Sequence, residues 1–329
     1  MKKTVLRLVH PFLIHKDLQG AFVAIGNFDG VHRGHQSVLQ YTLDQAKKNR
    51  KPAIVLTFEP HPRTWFKPDS PVDRLTPPPE KATIFHFMGF DAVIEKSFTD
   101  TLAFCTAQSF VKDILRDSLA VSGVVTGNNF HFGYQRQGSP KFLKEAGEKL
   151  GFCVSIINSF QDLGEIISSS RIRTLLTQGS VQEAAQLLGY RYRVSETVIH
   201  GSALGRTLGF PTANMSLPSQ TSLALGIYAV RFCCENGKIY DGVASFGCRP
   251  TVDVVSKPLL ETYVFDFHED IYGKTCSVSF FSFIRKEKKF PSLQALIAQM
   301  HQDEKKARIL LAAVQPLSLL DHHLTFNTS

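Results

Sequence analysis

Apolar and polar positions follow two different patterns along this chain. In the first half, short apolar segments at 22–26 (FVAIG), 53–58 (AIVLTF), 91–94 (DAVI), 121–125 (VSGVV) and 152–157 (FCVSII) are mostly runs rather than alternations. Runs of this kind suit strands covered on both faces, as in a parallel sheet. The stretches between them are long enough for crossover helices. Val38, Leu39, Thr42, Leu43 and Ala46 form a helical stripe within 36–48, and Pro77–Pro79 opens a helix ending near Gly89. Helices are also expected over 102–117 and 140–150. This is the pattern of an open, doubly wound α/β domain.

After residue 190 the texture changes. VQEAAQLL reads as a short helix ended by Gly189, and beyond it come the β-rich segments YRVSETVIHG, GIYAVRFCCE, KIYDGVASFG, LLETYVFDF and KTCSVSFFSFI. They are separated by Gly, Pro, Asn or Asp, and alternation in YRVSETVI and SVSFFSFI predicts a mainly antiparallel sheet or small barrel. From Ser292 a helix is expected with Leu293, Leu296, Ile297 and Met300 on one side. The expected division is 1–188, 189–312, and a lightly packed tail over 313–329.

Composition narrows the function classes. The 329 residues are ordinary globular material, 43% hydrophobic and 20% charged, long enough for two cores. The net charge of +8 suits either nucleic acid or phosphate-bearing substrates. Basic residues are scattered, with short runs only at 47–51 and 285–289, so no nucleic-acid stripe is expected. Six cysteines without a CxxC spacing indicate neither a zinc cluster nor a disulfide scaffold. No window resembles a membrane span and the start lacks a cleavable leader, so a cytoplasmic protein without membrane partners is expected.

The chemistry is concentrated in short stretches. GNFDGVHRGHQ (26–36) follows the first apolar run and admits a tight turn, a metal-ligand pair or a phosphate site. It fits neither a dinucleotide fingerprint nor a P-loop, and no local cysteine pair or HExxH completes a metal set. A helix beginning near Gly34 and His35 would present unpaired N–H groups to phosphate oxygens, with His32 and His35 one turn apart. Whether protonated or merely donating, these histidines would stabilise charge as pyrophosphate leaves. In the second half, HGSALGRTLGFPTANM (200–215) offers glycine-rich turns able to close over phosphates. Within it Thr212 and Asn214 form an oxygen pair suited to magnesium.

GNFDGVHRGHQ resembles the GxFDGxHxGH signature of the nucleotidyltransferase superfamily, and its longer form is similar to the adenylyltransferase module of bacterial bifunctional riboflavin kinase/FAD synthetases. The resemblance implies that Gly26, Asn27, Phe28, Asp29 and Gly34 shape a nucleotide site and that His32 and His35 contact the ATP phosphates. TFEPHPR (57–63) puts His61 at a strand edge, and TGNNFHFGYQRQG (126–138) resembles the family's flavin-side loop, with Asn129 where an acid is usual. ISSSRIR (167–173) resembles ISSTxIR, implying that Ser169, Ser170 and Arg173 hold the triphosphate. The 200–215 stretch, ASFGCRPTV (244–252) and LLETYVFDFHEDIYGK (259–274) together resemble the riboflavin kinase module. They imply ATP contacts at Gly205, Arg206, Thr207, Gly209, Pro211 and Thr212, flavin contacts at Arg249 and Thr251, and Glu261 as general base. Ser245-Phe246 replaces the usual Asn-Ile, and Tyr263 the usual His.

The expectation is therefore a bifunctional enzyme with magnesium as cofactor, ATP, riboflavin and FMN as substrates, and FAD as product. Its partners would be small molecules, with weak self-association allowed. The rivals are an adenylyl- or cytidylyltransferase for another phosphorylated acceptor, and a flavin- or nucleic-acid-binding protein without turnover.

Overall fold

A computed structural model describes residues 6–9, 15–162, 164–201, 204–248 and 258–326. The chain divides into two compact units, Met1–Ser168 and Ser169–Ser329.

In the first unit, strands β1 (Leu6–Val9), β2 (Phe22–Ile25), β3 (Ala53–Glu59), β4 (Ala92–Ser97), β5 (Gly123–Gly127) and β6 (Cys153–Ile157) form one sheet in the order β1-β4-β3-β2-β5-β6. Every pairing in it is parallel. The apolar runs are explained by burial: all four residues of β2 and six of the seven in β3 are inaccessible. Helix α1 (Arg33–Asn49) turns Val38, Leu39, Thr42 and Ala46 to the sheet. The short α2 (Pro62–Phe66) and α3 (Pro78–Met88) follow, and α3 ends on Gly89 at φ 100°, a left-handed stop that glycine adopts without a Cβ penalty. The helix expected over 102–117 is broken into α4 (Asp100–Ala103) and α5 (Ala107–Ser109), the latter continuing in π-helical turns over Phe110–Ser118. Thr106 starts the second piece by accepting a hydrogen bond from the Ser109 N–H. Helix α6 (Pro140–Leu150), capped by Ser139, covers β6. A small hairpin, β7 (Gln161–Asp162) and β8 (Glu165–Ile166), ends the unit.

The second unit opens with α7 (Ser169–Thr177) and α8 (Val181–Leu188). Strand β9 (Arg193–Thr197) and the single turn α9 (Leu204–Thr207) precede β10 (Thr212–Ser216), β11 (Gly226–Cys233), β12 (Ile239–Cys248), β13 (Pro258–Val264) and β14 (Thr275–Arg285). The sheet order is β10-β13-β12-β11-β14-β9, antiparallel throughout, and a bridge between Ile199 and Asn214 brings its two edges together as a near-barrel. Strand β10 is the element the glycine-rich reading of 200–215 conceals.

Helix α10 (Leu293–Ala312) begins after Ser292 as expected, and its buried residues are Asp303, Ala307 and Leu311, with Leu293 51% exposed. The helix docks by its carboxyl-terminal half, where the small Ala307 permits close approach. One expectation needs correction. The expected lightly packed tail over 313–329 is in fact structured in its described part, where Leu319–Thr325 form α11. Asp321 in that helix is 0% exposed and pairs with the Arg191 guanidinium, while its oxygens accept from the N–H groups of Arg191 and Leu317, each at 2.9 Å. The guanidiniums of Arg191 and Arg231 lie over the rings of Phe281 and Phe326. A buried charge that loses its partner is costly. Asp321→Ala is expected to lower unfolding free energy by about 3–5 kcal/mol. Denaturant titration checks this, and a loss below about 1 kcal/mol would show that α11 is dispensable.

Candidate functional site

In the first unit, β2 is hydrogen-bonded to β3 on one side and β5 on the other, and the connections leave toward opposite edges. Ligands in open α/β sheets bind at such a switch point, beyond the carboxyl ends of the strands. Residues 26–32 leave β2 there. Gly26 is glycine for a steric reason: a Cβ would lie 2.9 Å from the Phe28 ring, which folds back over it. Phe28 has φ 47° and Val31 φ 36°, unfavourable left-handed conformations for these side chains. The turn is held by distant partners rather than by a local cap. Asp29 Oδ1 accepts from the Thr76 N–H at 3.2 Å, and Thr76 Oγ1 accepts from the Gly30 N–H at 2.9 Å.

His32 is the N-cap of α1, its Nδ1 accepting from the His35 N–H at 3.3 Å. An accepting Nδ1 leaves the proton of a neutral ring on Nε2, where it can be donated to a ligand. The His35 ring stacks on His32 with centroids 3.6 Å apart and meets the edge of Phe28 at 5.4 Å. Burial pushes His32 down to about 4 and His35 well below the ordinary histidine value, the latter helped by the neighbouring His32 and Lys81. Both rings thus favour the neutral form near pH 7, which suits donation to a ligand. His35 Nδ1 is buried without a hydrogen-bond partner.

In the second unit, a cavity of about 410 Å³ lies against the barrel wall. Antiparallel pairing sets Asn214 of β10 directly opposite Glu261 of β13, and Thr212 opposite Tyr263. Because side chains alternate along a strand, all four share one face, and all four line the cavity. Asn214 Nδ2 donates to the Thr212 carbonyl at 3.1 Å, while Asn214 Oδ1 is buried with no hydrogen-bond partner.

Residues 14–171 match the family model described as FAD synthetase, and residues 188–311 match riboflavin kinase. A bifunctional riboflavin kinase/FMN adenylyltransferase of Haemophilus influenzae is 40% identical over 291 residues, covering 88% of this chain and 94% of the relative. The Escherichia coli K12 protein of the same name is 38% identical over 298 residues, covering 91% and 95%. The chain belongs to this bifunctional family. A crystal structure from Streptococcus pneumoniae, described as a macrolide-efflux protein, superposes with a TM-score of 0.82 at 30% identity, covering 92% of this chain and 99% of that one. That description concerns the other protein; among the described residues here, no helix is long and apolar enough to cross a membrane.

Within the family frame, the expected residues fall into separate groups. Gly26, Asn27, Phe28, Asp29, His32, Gly34 and His35 come together at the switch point of the first unit. His61 follows β3 and caps α2, its Nδ1 accepting from the Arg63 N–H at 3.1 Å. Asn129 lies exposed in the turn after β5. Ser169, Ser170 and Arg173 open α7 in the second unit. Of the kinase-side residues, Gly205, Thr212, Asn214 and Glu261 line the cavity, whereas Arg206, Thr207, Gly209 and Pro211 do not. Gly205 is required by close approach, since a Cβ would strike the Phe210 carbonyl oxygen. Arg249 and Thr251 lie outside the described residues.

The departures from the family pattern divide in the same way. Ser245 and Tyr263 face the cavity, but Phe246 is 1% exposed and belongs to the core. Sequence reasoning missed Arg285, whose guanidinium grips the Asp303 carboxylate at 2.6–3.0 Å beside the cavity. It also missed Lys81. The first was legible only as part of a basic run, the second only as one of the charges at the start of α3.

The neutral histidines carry a consequence for stability. The unfolded chain protonates His32 near pH 6.5 and the folded chain only near pH 4, so protons favour unfolding within that interval. Stability is expected to fall as pH drops from 6.5 to 4, and His32→Asn should reduce this dependence, with buried His35 supplying the remainder. Denaturant midpoints across that range test it; a variant as acid-sensitive as the parent would sink the assignment.

Proposed function

We propose that the chain makes FMN and then FAD, one step per unit. In the second unit, Glu261 accepts the proton of the riboflavin 5′-hydroxyl as that oxygen attacks the γ-phosphorus of ATP, releasing ADP. A primary hydroxyl is a poor nucleophile, and such help is typically worth ~10²–10⁴-fold in rate. In the first unit, an FMN phosphate oxygen attacks the α-phosphorus of ATP, pyrophosphate leaves, and FAD forms. Neutral His32 and His35 donate hydrogen bonds to phosphate oxygens as charge builds there. Ser169, Ser170 and Arg173 are assigned to the triphosphate, and His61 and Asn129 to the flavin side.

The single observation that carries this reading is the register pair Asn214–Glu261 on one cavity wall, a hard oxygen donor facing a carboxylate. Asn214 Oδ1, a buried acceptor without a partner, and the Thr212 hydroxyl on the same strand face suit magnesium. When bound, magnesium neutralises charge on the ATP phosphates. Glu261 then stands where an acceptor hydroxyl entering the cavity meets a base. A cytoplasmic setting belongs to the same reading, because the six cysteines lack the spacing of a disulfide framework.

The test is product analysis with ATP and magnesium, first with riboflavin and then with FMN. Glu261→Ala is expected to cut FMN formation by at least ~10²-fold while leaving FAD formation from supplied FMN intact. His32→Ala should do the reverse. A folded variant that lost both reactions would show that the two sites are not separate. FAD formed only from supplied FMN by the unaltered protein would mean that Ser245 and Tyr263 have cost the cavity its kinase reaction.

A further inference from the structure

One charged side chain beneath the first site has no part in the reaction described above. Lys81, on α3, is 1% exposed. Its Nζ donates to the Asn27 carbonyl and to Thr57 Oγ1, both at 3.2 Å, and Thr57 Oγ1 donates to the same carbonyl at 3.3 Å. These hydrogen-bond partners are neutral oxygens. Burying an ammonium is expensive even when it is hydrogen-bonded, so an apolar residue would suit this position better if only packing mattered.

The carbonyl that Lys81 holds belongs to the turn of the nucleotide site. Across a trans peptide the C=O and the following N–H point in opposite directions. Drawing the Asn27 carbonyl down onto Lys81 therefore aims the Phe28 N–H the other way. Phe28, Gly30 and Val31 all have positive φ, 47°, 82° and 36°. Left-handed residues in a tight turn can bring N–H groups toward an anion. Here the N–H groups of Gly30 and Val31 are taken by Thr76 Oγ1 and the Phe28 carbonyl, so the Phe28 N–H, aimed away from Lys81, is the donor in question.

We infer that Lys81 is a positioning residue for adenylyl transfer, fixing the Asn27 carbonyl and hence the direction of the Phe28 N–H in the turn 27–31, and lending that turn the positive charge against which the ATP triphosphate binds. The inference rests on the proposed reading of the first unit. The charged and titratable groups around Lys81 come from every neighbouring element: Glu80 on α3 itself, Asp29 of the turn, His35 of α1, Glu59 of β3, Glu95 of β4, and Arg74 between α2 and α3. Glu59 is paired with Arg74, and Glu95 with Arg7. Burial, followed by repulsion from Arg74, brings Lys81 down to about 8 against the pull of the three carboxylates Glu59, Asp29 and Glu95. Its charge is therefore present below pH 8 and lost above it, although the neutral amine still donates hydrogen bonds.

The experiment measures kcat/KM for ATP in FAD formation from supplied FMN, from pH 6.5 to 10, using the full chain. The unaltered protein should lose efficiency above about pH 8, because this ratio reports groups of the free enzyme. Lys81→Met should lower the ratio about 10–100-fold at pH 7, the usual worth of a charged hydrogen bond, and show no limb near pH 8. Lys81→Arg keeps its charge throughout, and should recover much of the loss without the limb. Riboflavin phosphorylation by the other unit should be unchanged in both variants and reports that the chain is folded. A Lys81→Met ratio within about threefold of the parent, or a Lys81→Arg profile with the same limb, overturns the inference. If Lys81→Met fails to fold, the parent and Lys81→Arg profiles decide alone. Absence of FAD with the unaltered protein would sink the reading of the first unit itself, whereas an active parent with an indifferent Lys81 would sink only this inference.

Discussion

Strand register governs where reactive side chains can stand in both units. In the first, Ile25 pairs with Leu56 of β3, and Ala24 with Val125 of β5. The chain leaving β2 must then turn between two connections that diverge, and the crevice they open receives residues 26–32. In the second, the same kind of constraint acts through antiparallel pairing. Asn214 meets Glu261 because β10 and β13 are in that register and no other. A slip of β10 by one residue would send Thr212 and Asn214 to the face opposite Glu261 and Tyr263. Apolar packing enforces the choice: Met215 and Leu260, register partners one step along, are both 0% exposed.

Such placement has an energetic cost, concentrated in the turn after β2. Non-glycine residues at positive φ typically cost about 1–3 kcal/mol each, and Phe28 and Val31 are both of this kind. Their compensation is visible nearby. Phe28 and Val31 are buried, Phe28 meets the edges of His35 and Phe85, and Asp29 and Gly30 are tied to Thr76. The ties come from residues almost fifty positions away, so the turn has its shape only once α3 and the segment before it have docked. In the proposed reading such a preformed turn meets an anion without reorganising, which makes any donor it presents more effective than the same group in water.

What could be read in the sequence was whatever is local. Parallel strands appeared as apolar runs, α6 ran from Pro140 to Leu150 as expected, and Gly89 and Gly189 stopped their helices at φ 100° and 77°. Elements whose existence depends on distant partners were not legible. Strand β1 is short, edge-placed and largely exposed. Strand β10 hides behind glycine and proline, and is a strand because β13 pairs with it. Helix α11 looks like a polar tail until Arg191, 130 residues earlier, supplies the partner for Asp321. The sites divide likewise. GNFDGVHRGHQ and the threonine-asparagine pair are contiguous motifs, whereas the Arg285–Asp303 pair and the contact of Lys81 with Asn27 join residues 18 and 54 positions apart.

The two proposed reactions differ in what they ask of the protein, and the side chains differ accordingly. Phosphorylating a hydroxyl requires a proton to be removed from a weakly acidic group, so a carboxylate belongs in the cavity proposed for the kinase step, and Glu261 lines it. The acceptor in the adenylyl step is a phosphate monoester, whose second proton leaves near pH 6, so it is already an anionic nucleophile at neutral pH. A base there would have nothing to remove. What the step needs is donors that stabilise accumulating negative charge without first exchanging protons with water. Imidazoles kept neutral by burial, with Nε2–H on His32 fixed by the bond that Nδ1 accepts, meet that need. The positive charge that neutral histidines lack is then best supplied from below the turn, where an ammonium can act on the phosphates while remaining outside the reaction.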